Sequence, residues 1–239
     1  MQGLREDKLS YLPLVLALAV AALLVVVLNS DYSPAGKATA SPLETRAIKR
    51  TEALLDGIPQ HGAVLGNPKA PVTLQFFGDL QCLDSRRVML GALPFLIRHW
   101  VRGGKLRVLF RSFKTDTTDS TEFIRQQVAA LGAGRQGKMW TFIDLFYREQ
   151  RREFTRYAGD AFLEGIARQT GVDLLRWEED RESDGGAGKI ESDEFLHERK
   201  GLISTPSFLI GLTGGEARPL LHFSFEEPQV FDEAIRELL

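Results

Sequence analysis

The sequence is short of cysteine, with only Cys82 in 239 residues. A single cysteine excludes an internal disulfide framework and a cysteine-rich zinc site. Histidine is also scarce: His61, His99, His197 and His222 lie far apart, without an i, i+4 pair, so we expect no metal and no cofactor. The 30 basic and 32 acidic residues give a net charge of -2, which offers no basic face, and we expect no nucleic-acid partner.

A charge-free apolar run covers residues 11–28. As a helix it would be about 27 Å long, close to the hydrocarbon thickness of a bilayer. Arg5 and Lys8 precede it and favour a cytoplasmic N-terminus. We therefore expect an uncleaved, single-pass signal anchor, with the rest of the chain in an extracytoplasmic compartment such as the periplasm. The alternative is a cleaved signal peptide, for which the nearest small-residue site, Ala38-Thr39-Ala40, lies well beyond the run.

Residues 29–61 are interpreted as a tether between this span and a folded domain over residues 62–239. The part up to residue 42 is rich in Ser, Ala, Gly and Pro, a composition typical of a flexible linker. A charged segment from 44 to 55 has a weak apolar stripe and is a candidate for a short helix.

The first clear strand, Val72–Phe77, is almost continuously apolar, which favours an interior strand covered on both faces. A helical stripe of apolar residues follows over Asp84–Trp100, where Pro94 predicts a kink. Leu106–Phe110 alternates as a second strand. Together these segments predict a β-α-β unit.

The middle of the chain is predicted to be helical, and strand character returns towards the C-terminus. Residues 178–188 are acidic and glycine-rich and are interpreted as a mobile surface loop. The other predicted elements are helices over 123–131, 139–147 and 161–170, a strand over 207–210, a hairpin through Gly214-Gly215 to 219–223, and a helix over 228–239.

Cys82 lies where the predicted strand gives way to a helix, and Ser85 follows three residues later. This is the layout of a redox C-x-x-C site whose second thiol is replaced by a hydroxyl. A dithiol can store two electrons as an internal disulfide, whereas a lone thiol can only bond to another molecule. The pattern therefore excludes a dithiol oxidant, unless two chains are linked through Cys82. Asp79, just before it, is interpreted as a cap of the following helix, with a general base as the alternative.

Four stretches, in this order and spacing, resemble the DsbA-like branch of the thioredoxin superfamily: Gly66–Thr73, Phe77–Cys82, Gln136–Trp140 and Gly201–Phe208. The resemblance covers residues 62–239 and implies an α/β thioredoxin-like fold with a helical subdomain inserted at about 118–198.

The resemblance also implies that Pro206 is cis, packs beside Cys82 and, with Thr205, binds substrate. X-Pro is the only peptide bond with an inexpensive cis form, and the backbone beside it can pair with an extended peptide. The residues alone leave open an ordinary trans proline at the entry to an edge strand.

Three positions depart from the family's pattern. Ser85 replaces the resolving cysteine, and Phe76 stands where the family usually has a buried, proton-relaying acid. Leu83-Asp84 replaces a dipeptide that commonly begins with proline. The redox apparatus is thus reduced to one thiol on a retained scaffold.

The helix N-terminus should stabilise a thiolate at Cys82 through unpaired N–H groups and the helix dipole. We expect Ser85 to donate a hydrogen bond to the sulfur, so both residues are predicted to be catalytic. Arg86 and Arg87 add favourable charge, and Asp84 opposes them. The alternative is a cysteine that merely packs as a small apolar side chain.

These features fit functions of different classes. The first is a membrane-tethered thiol–disulfide exchange enzyme, an isomerase or reductase acting through Cys82 alone. Its expected partners are extracytoplasmic proteins with cysteines or disulfides, together with a small-molecule thiol. The second is a catalytically degenerate module that binds peptides or a partner protein beside Pro206. A third is a redox sensor in which Cys82 pairs between two chains.

Overall fold

A mixed sheet forms the centre of the fold. The computed structural model describes residues 41–182 and 185–239. Within these residues the strands are β1 Gln60–His61, β2 Val64–Leu65, β3 Val72–Gly78, β4 Leu106–Ser112, β5 Ser207–Leu212 and β6 Arg218–Pro219. They pair in the order β1-β2-β4-β3-β5-β6, with β3 parallel to β4 and antiparallel to β5.

The central strand β3 is buried at every position except Gln75, as its apolar run predicts. Phe76 lies in the core, with its ring centroid 5.4 Å from that of Phe110 and 5.0 Å from that of Phe208. A carboxylate at this position would be desolvated among aromatic rings, which is costly without a partner. An apolar side chain therefore suits position 76 in this chain.

Helices cover and connect the strands. In chain order they are α1 Pro42–Leu55, α2 Leu83–Leu90, α3 Ala92–Leu96, α4 Ser120–Arg135, α5 Met139–Glu149, α6 Asp160–Thr170, α7 Leu174–Glu182, α8 Gly185–Arg199 and α9 Gln229–Arg236. Helices α4 to α8 lie between β4 and β5, where the resemblance places the helical subdomain. Gly171 ends α6 in the left-handed conformation, with φ 75°.

The folded unit begins before residue 62. Residues 42–61, which the sequence assigned to the tether, carry α1 and β1. Ser41 and Glu44 form a capping box at the start of α1. Thr51 on this helix donates a 2.5 Å hydrogen bond to Asp144 on α5, and Leu54 is buried in the core. These contacts are made with distant parts of the chain, so the weak apolar pattern over residues 44–55 did not predict them.

The predicted membrane span, residues 11–28, lies outside the described residues, as does the tether up to residue 40. In the part of the chain that the structure describes, no helix combines the length and apolarity needed to cross a bilayer. The anchor and its topology therefore stay predictions.

The helix predicted over 84–100 is interrupted at Gly91, and the expected kink at Pro94 is wrong. Gly91 has φ -102° and ψ -91°, and the next residue donates a 3.1 Å hydrogen bond to the carbonyl of Phe225. A Cβ at Gly91 would lie 2.7 Å from that carbonyl oxygen, so only glycine fits. Pro94 falls in the first turn of α3, where a missing N–H costs little. A π-helical segment, Ile97–Val101, follows α3.

The acidic stretch predicted as a loop over 178–188 is largely helical in its described part, where α7 ends at Glu182 and α8 begins at Gly185. Trp177 on α7 is buried, and its ring N–H donates a 2.8 Å hydrogen bond to the carbonyl of Ala129 on α4. Gly186 allows close packing of α8, because a Cβ there would lie 2.7 Å from the Val128 side chain. Tertiary packing outweighs the local acidic, glycine-rich composition.

Candidate active site

Cys82 is placed at the N-terminus of α2 by a short loop after β3. It is the N-cap residue of the helix, with extended backbone angles (φ -67°, ψ 122°). The loop is held by the side-chain amide of Gln150, which donates to the carbonyls of Leu80 at 2.8 Å and of Cys82 at 3.3 Å. The strand-to-helix position predicted from sequence is therefore the one that the fold provides.

The loop before β5 meets this cysteine from a distant part of the chain. The Thr205–Pro206 peptide bond is cis, as the resemblance implied. The Cys82 thiol donates a 3.4 Å hydrogen bond to the carbonyl of Thr205, 123 residues away. Cys82 as a whole residue is only 8% exposed. Three of the predicted site residues, Cys82, Thr205 and Pro206, are thus brought together.

Ser85 lies in the first turn of α2, and the hydrogen bond predicted from its hydroxyl to the Cys82 sulfur is not formed. The hydroxyl is fully buried and interacts with the phenol of Tyr147. The Cys82 thiol donates instead to the carbonyl of Thr205.

Asp79 supplies a buried carboxyl group beneath the site, and its predicted role as a cap of α2 is wrong. One carboxylate oxygen accepts from the Gln81 backbone N–H at 2.9 Å. The other accepts from the hydroxyls of Thr115 at 2.9 Å and Thr117 at 2.7 Å, and from the Thr115 N–H at 3.2 Å. Burial raises the pKa of Asp79, and these hydrogen bonds partly oppose that shift.

A chain of hydrogen bonds runs from Asp79 to the thiol. The Thr115 hydroxyl donates to Asp79, so it accepts from the Thr205 hydroxyl, 3.3 Å away. The carbonyl of Thr205 in turn accepts the bond from Cys82. Sequence reasoning missed Thr115 and Thr117. The signal was available, because the loops that follow two adjacent parallel strands lie at the same edge of the sheet.

Two ring side chains fix the same region. Burial holds the pKa of Tyr147 well above its usual range, and negative charge on Cys82 or Asp79 raises it further, so the phenol remains a donor. It donates a 3.0 Å hydrogen bond to the backbone carbonyl of Asp79. His197 on α8 lies 3.2 Å from the carbonyl of Ser204, and burial lowers its pKa and favours the neutral ring. These contacts tie the helical subdomain to both active-site loops.

The charges around α2 differ from those expected from sequence. The guanidinium of Arg87 pairs with Asp84 at 3.1 Å and with Glu226 at 2.7 Å, so its charge is largely neutralised. A carboxylate from outside the motif, Glu153, accepts a 2.8 Å hydrogen bond from the Leu83 N–H in the first turn. Negative charge at this end of the helix opposes formation of a thiolate.

Three exposed apolar side chains, which we call the apolar rim, lie on the segments that meet at the cysteine. Leu83, next to it in the chain, is 42% exposed. Phe154, next to Glu153, is 72% exposed, and Ile203 in the loop that leads to Pro206 is 91% exposed. Among the described residues, no three His, Cys, Asp or Glu side chains are grouped so that they could hold a metal ion. The site thus offers a thiol, a buried acid and an apolar rim.

Known proteins share this arrangement of sequence and fold. Residues 60–216, which include Cys82 and Pro206, match the family described as Thioredoxin. The probable disulfide bond formation protein D of Bacillus anthracis is 24% identical over 157 residues, which cover 65% of this chain and 71% of that protein.

Solved structures show the same fold. The crystal structure of oxidised BdbD from Bacillus subtilis has a TM-score of 0.62 at 18% identity and covers 77% of this chain and 97% of its own. Alpha-DsbA1 from Wolbachia pipientis has a TM-score of 0.62 at 19% identity and covers 79% of this chain and 94% of its own. The chain therefore belongs to the thioredoxin family, and its fold is similar to that of DsbA proteins.

Proposed function

We propose that this protein is an extracytoplasmic, membrane-anchored thiol–disulfide exchange enzyme that acts through Cys82 alone. The observation that carries the proposal is the position of the chain's one thiol, at a helix N-terminus and hydrogen-bonded to the carbonyl before cis Pro206. The name of the Bacillus anthracis relative, a probable disulfide bond formation protein, supports chemistry of this class.

The first step follows from the chemistry of a single thiol. The ionised Cys82 sulfur attacks one sulfur of a substrate disulfide, and the other sulfur leaves as a thiolate that takes a proton from solvent. A mixed disulfide between Cys82 and the substrate results. Ser85 cannot displace it, since a hydroxyl forms no disulfide.

Release therefore requires a thiol from outside the chain. If a different cysteine of the substrate attacks, one that was not in the original disulfide, the substrate leaves with a rearranged disulfide, which is isomerisation. If an external thiol attacks, the substrate leaves reduced. The chain holds no second thiol with which to store and donate a disulfide.

Extended cysteine-containing polypeptides are the substrates that the surroundings favour. Leu83, Phe154 and Ile203 expose apolar surface on the segments that meet at Cys82, which suits unfolded polypeptides with uncovered apolar side chains. We assign Thr205 and Pro206 to substrate binding because their backbone lies directly beside the sulfur.

The second candidate is a binding module in which Cys82 does no chemistry. The low exposure of Cys82 and its bond to the Thr205 carbonyl favour it, because both restrict attack by the sulfur. Such a protein would bind the same polypeptides without forming a covalent adduct.

The deciding experiment mixes the full chain, in a nonionic detergent, with a peptide that contains one disulfide. Acid quenching followed by mass spectrometry should show a Cys82–peptide mixed disulfide that is absent in Cys82→Ser. A Ser85→Cys variant should release the peptide without added thiol, because a second sulfur can now displace it. If Cys82→Ser binds the peptide equally well and the wild type forms no adduct, the binding module is the correct reading.

A further inference from the structure

Beside the active-site helix lies a cavity of about 480 Å³ between α1, α2 and the end of α5, which we name the arginine groove. Five arginines line it: Arg46, Arg50, Arg86, Arg148 and Arg151. Because the whole chain has a net charge of -2, the concentration of guanidinium groups here is a local feature rather than a reflection of composition.

Most of this positive charge is not cancelled by neighbours. Arg148 pairs with Asp144 at 2.6 Å. Among the described residues the other four arginines form no ion pair: Arg86 donates only to a backbone carbonyl, and Arg151 lies over aromatic rings. A free guanidinium is the group that best matches a carboxylate or phosphate.

The acids in and beside the groove leave an excess of positive charge. Five arginines face the two lining acids, Glu44 and Glu149, and Asp144, which is paired with Arg148. Burial raises the pKa of Glu149. The groove also has apolar lining from Leu43, Ala47 and Leu90, which suits a ligand with an organic body rather than a bare ion.

The groove and the thiol share one helix. Arg86 lies one turn after Cys82, and its backbone N–H donates a 3.1 Å hydrogen bond to the Cys82 carbonyl. Gln150, between two groove residues, donates to the same carbonyl. The groove therefore adjoins the first turn of the helix that begins at Cys82, the residue that an external thiol must regenerate under the proposed function.

We propose that the arginine groove binds a small thiol that carries carboxylate or phosphate groups, and that this thiol releases Cys82 from its mixed disulfide. The inference rests on the proposed monothiol function and names the co-reactant for its reductive branch. A first thiolate attacks the Cys82 sulfur and expels the substrate thiolate. A second attacks the small-thiol sulfur of the resulting adduct and expels the Cys82 thiolate. Two small thiols are oxidised to one disulfide, and their two protons end on the two substrate thiols.

The test uses the full chain with Cys82 converted to its 2-thiopyridyl mixed disulfide, a neutral leaving group followed by absorbance. The rate of 2-thiopyridone release is measured with glutathione (anionic), 2-mercaptoethanol (neutral) and cysteamine (cationic). Each rate is divided by the rate that the same thiol gives with the 2-thiopyridyl adduct of an unstructured cysteine peptide. We expect a preference of roughly tenfold for glutathione over the neutral thiol in low salt, falling as salt is added.

The variant that tests the groove is Arg46→Ala/Arg50→Ala, which removes two exposed guanidinium groups from α1. The matched control is Lys49→Ala, because Lys49 is also exposed on α1 but does not line the groove. The preference should disappear in the double variant and persist in the control. No preference in the wild type, or one that the double variant retains, would overturn the proposal.

Failure of the proposed function gives a different pattern. If Cys82 forms no mixed disulfide with substrate peptides, the exchange mechanism is wrong. Anion binding by the groove is then measured separately, by calorimetry with S-methylglutathione, which has no free thiol. Binding to the wild type and to Lys49→Ala, but not to the double arginine variant, would support the anion site. Absence of binding would refute it.

Discussion

The hydrogen-bond chain from Asp79 to Cys82 predicts that two similar threonine substitutions have different effects on the thiol. Thr115 and Thr117 both donate their hydroxyls to the same carboxylate oxygen of Asp79, at 2.9 and 2.7 Å. Only Thr115 also bonds to Thr205, whose hydroxyl lies 3.3 Å away. Thr115→Val and Thr117→Val therefore form a matched pair, because each replaces a hydroxyl by a methyl group of similar size.

Both variants should lose stability. Each removes one hydrogen bond to a buried carboxyl group, and a bond to a charged group contributes about 1.5–3 kcal/mol. Thr115→Val also removes the bond to Thr205, a neutral bond that contributes about 1 kcal/mol. With a denaturant slope of roughly 2 kcal/mol/M, the urea midpoint should fall by about 1 M in Thr117→Val and by about 1.5 M in Thr115→Val. Urea unfolding of the full chain in detergent, followed by tryptophan fluorescence, checks this.

The reactivity of Cys82 should separate the two variants. Thr115→Val frees the Thr205 hydroxyl and loosens the loop whose carbonyl holds the thiol, so iodoacetamide should alkylate Cys82 several-fold faster under native conditions. Thr117→Val leaves the bond to Thr205 intact and should react like the wild type. Equal alkylation rates in the two variants, whether raised or unchanged, would refute positioning of the thiol through Thr205.

Three further predictions concern Asp79, Glu153 and Gly91. Burial raises the pKa of Asp79 above its ordinary 3.8, so the native state binds this proton more tightly than the unfolded state does. The free energy of unfolding of the wild type, relative to that of Asp79→Asn, should therefore increase as pH falls from 7 to 4. A difference in urea unfolding that does not change with pH would contradict this. Glu153→Gln keeps an acceptor for the Leu83 N–H but removes a negative charge from the first turn of α2. Alkylation of Cys82 at pH 7 should therefore be roughly threefold faster in low salt. An unchanged or slower rate would show that the Glu153 charge does not restrain the thiol. Gly91→Ala places a methyl group 2.6 and 2.7 Å from two backbone carbonyl oxygens. The free energy of unfolding, measured in urea, should fall by about 3 kcal/mol. A decrease below about 1 kcal/mol would show that the turn adjusts freely.

The buried carboxyl group of this site is supplied by a different position from the one that the family's pattern implies. Phe76 occupies the position at which the resemblance implies a buried acid, and it packs against the rings of Phe110 and Phe208. The buried carboxyl group comes instead from Asp79, in the loop after β3, where threonine hydroxyls satisfy it. The site therefore contains a buried carboxyl group even though position 76 of the motif does not supply it.

Much of the scaffold could be predicted from local patterns. Val72–Phe77 is buried on both faces, so its continuous apolar run identified the strand to within one residue of β3 Val72–Gly78. The change of period after it placed Cys82 at a helix N-terminus, and the count of one cysteine by itself excluded storage of a disulfide within the chain. The four stretches that resemble the DsbA-like branch predicted the cis proline before β5.

Only the tertiary structure decided what surrounds the thiol. The Thr115 hydroxyl on Asp79, the Glu153 carboxylate on Leu83 and the Thr205 carbonyl on Cys82 come from 36 to 123 residues away in sequence from the groups that they contact. Trp177 likewise converts a loop-like acidic segment into a packed helix by a bond to α4. Periodicity and composition report the environment of a residue along its own segment, whereas hydrogen bonds and charges between distant loops arise only when the fold brings those loops to one edge of the sheet.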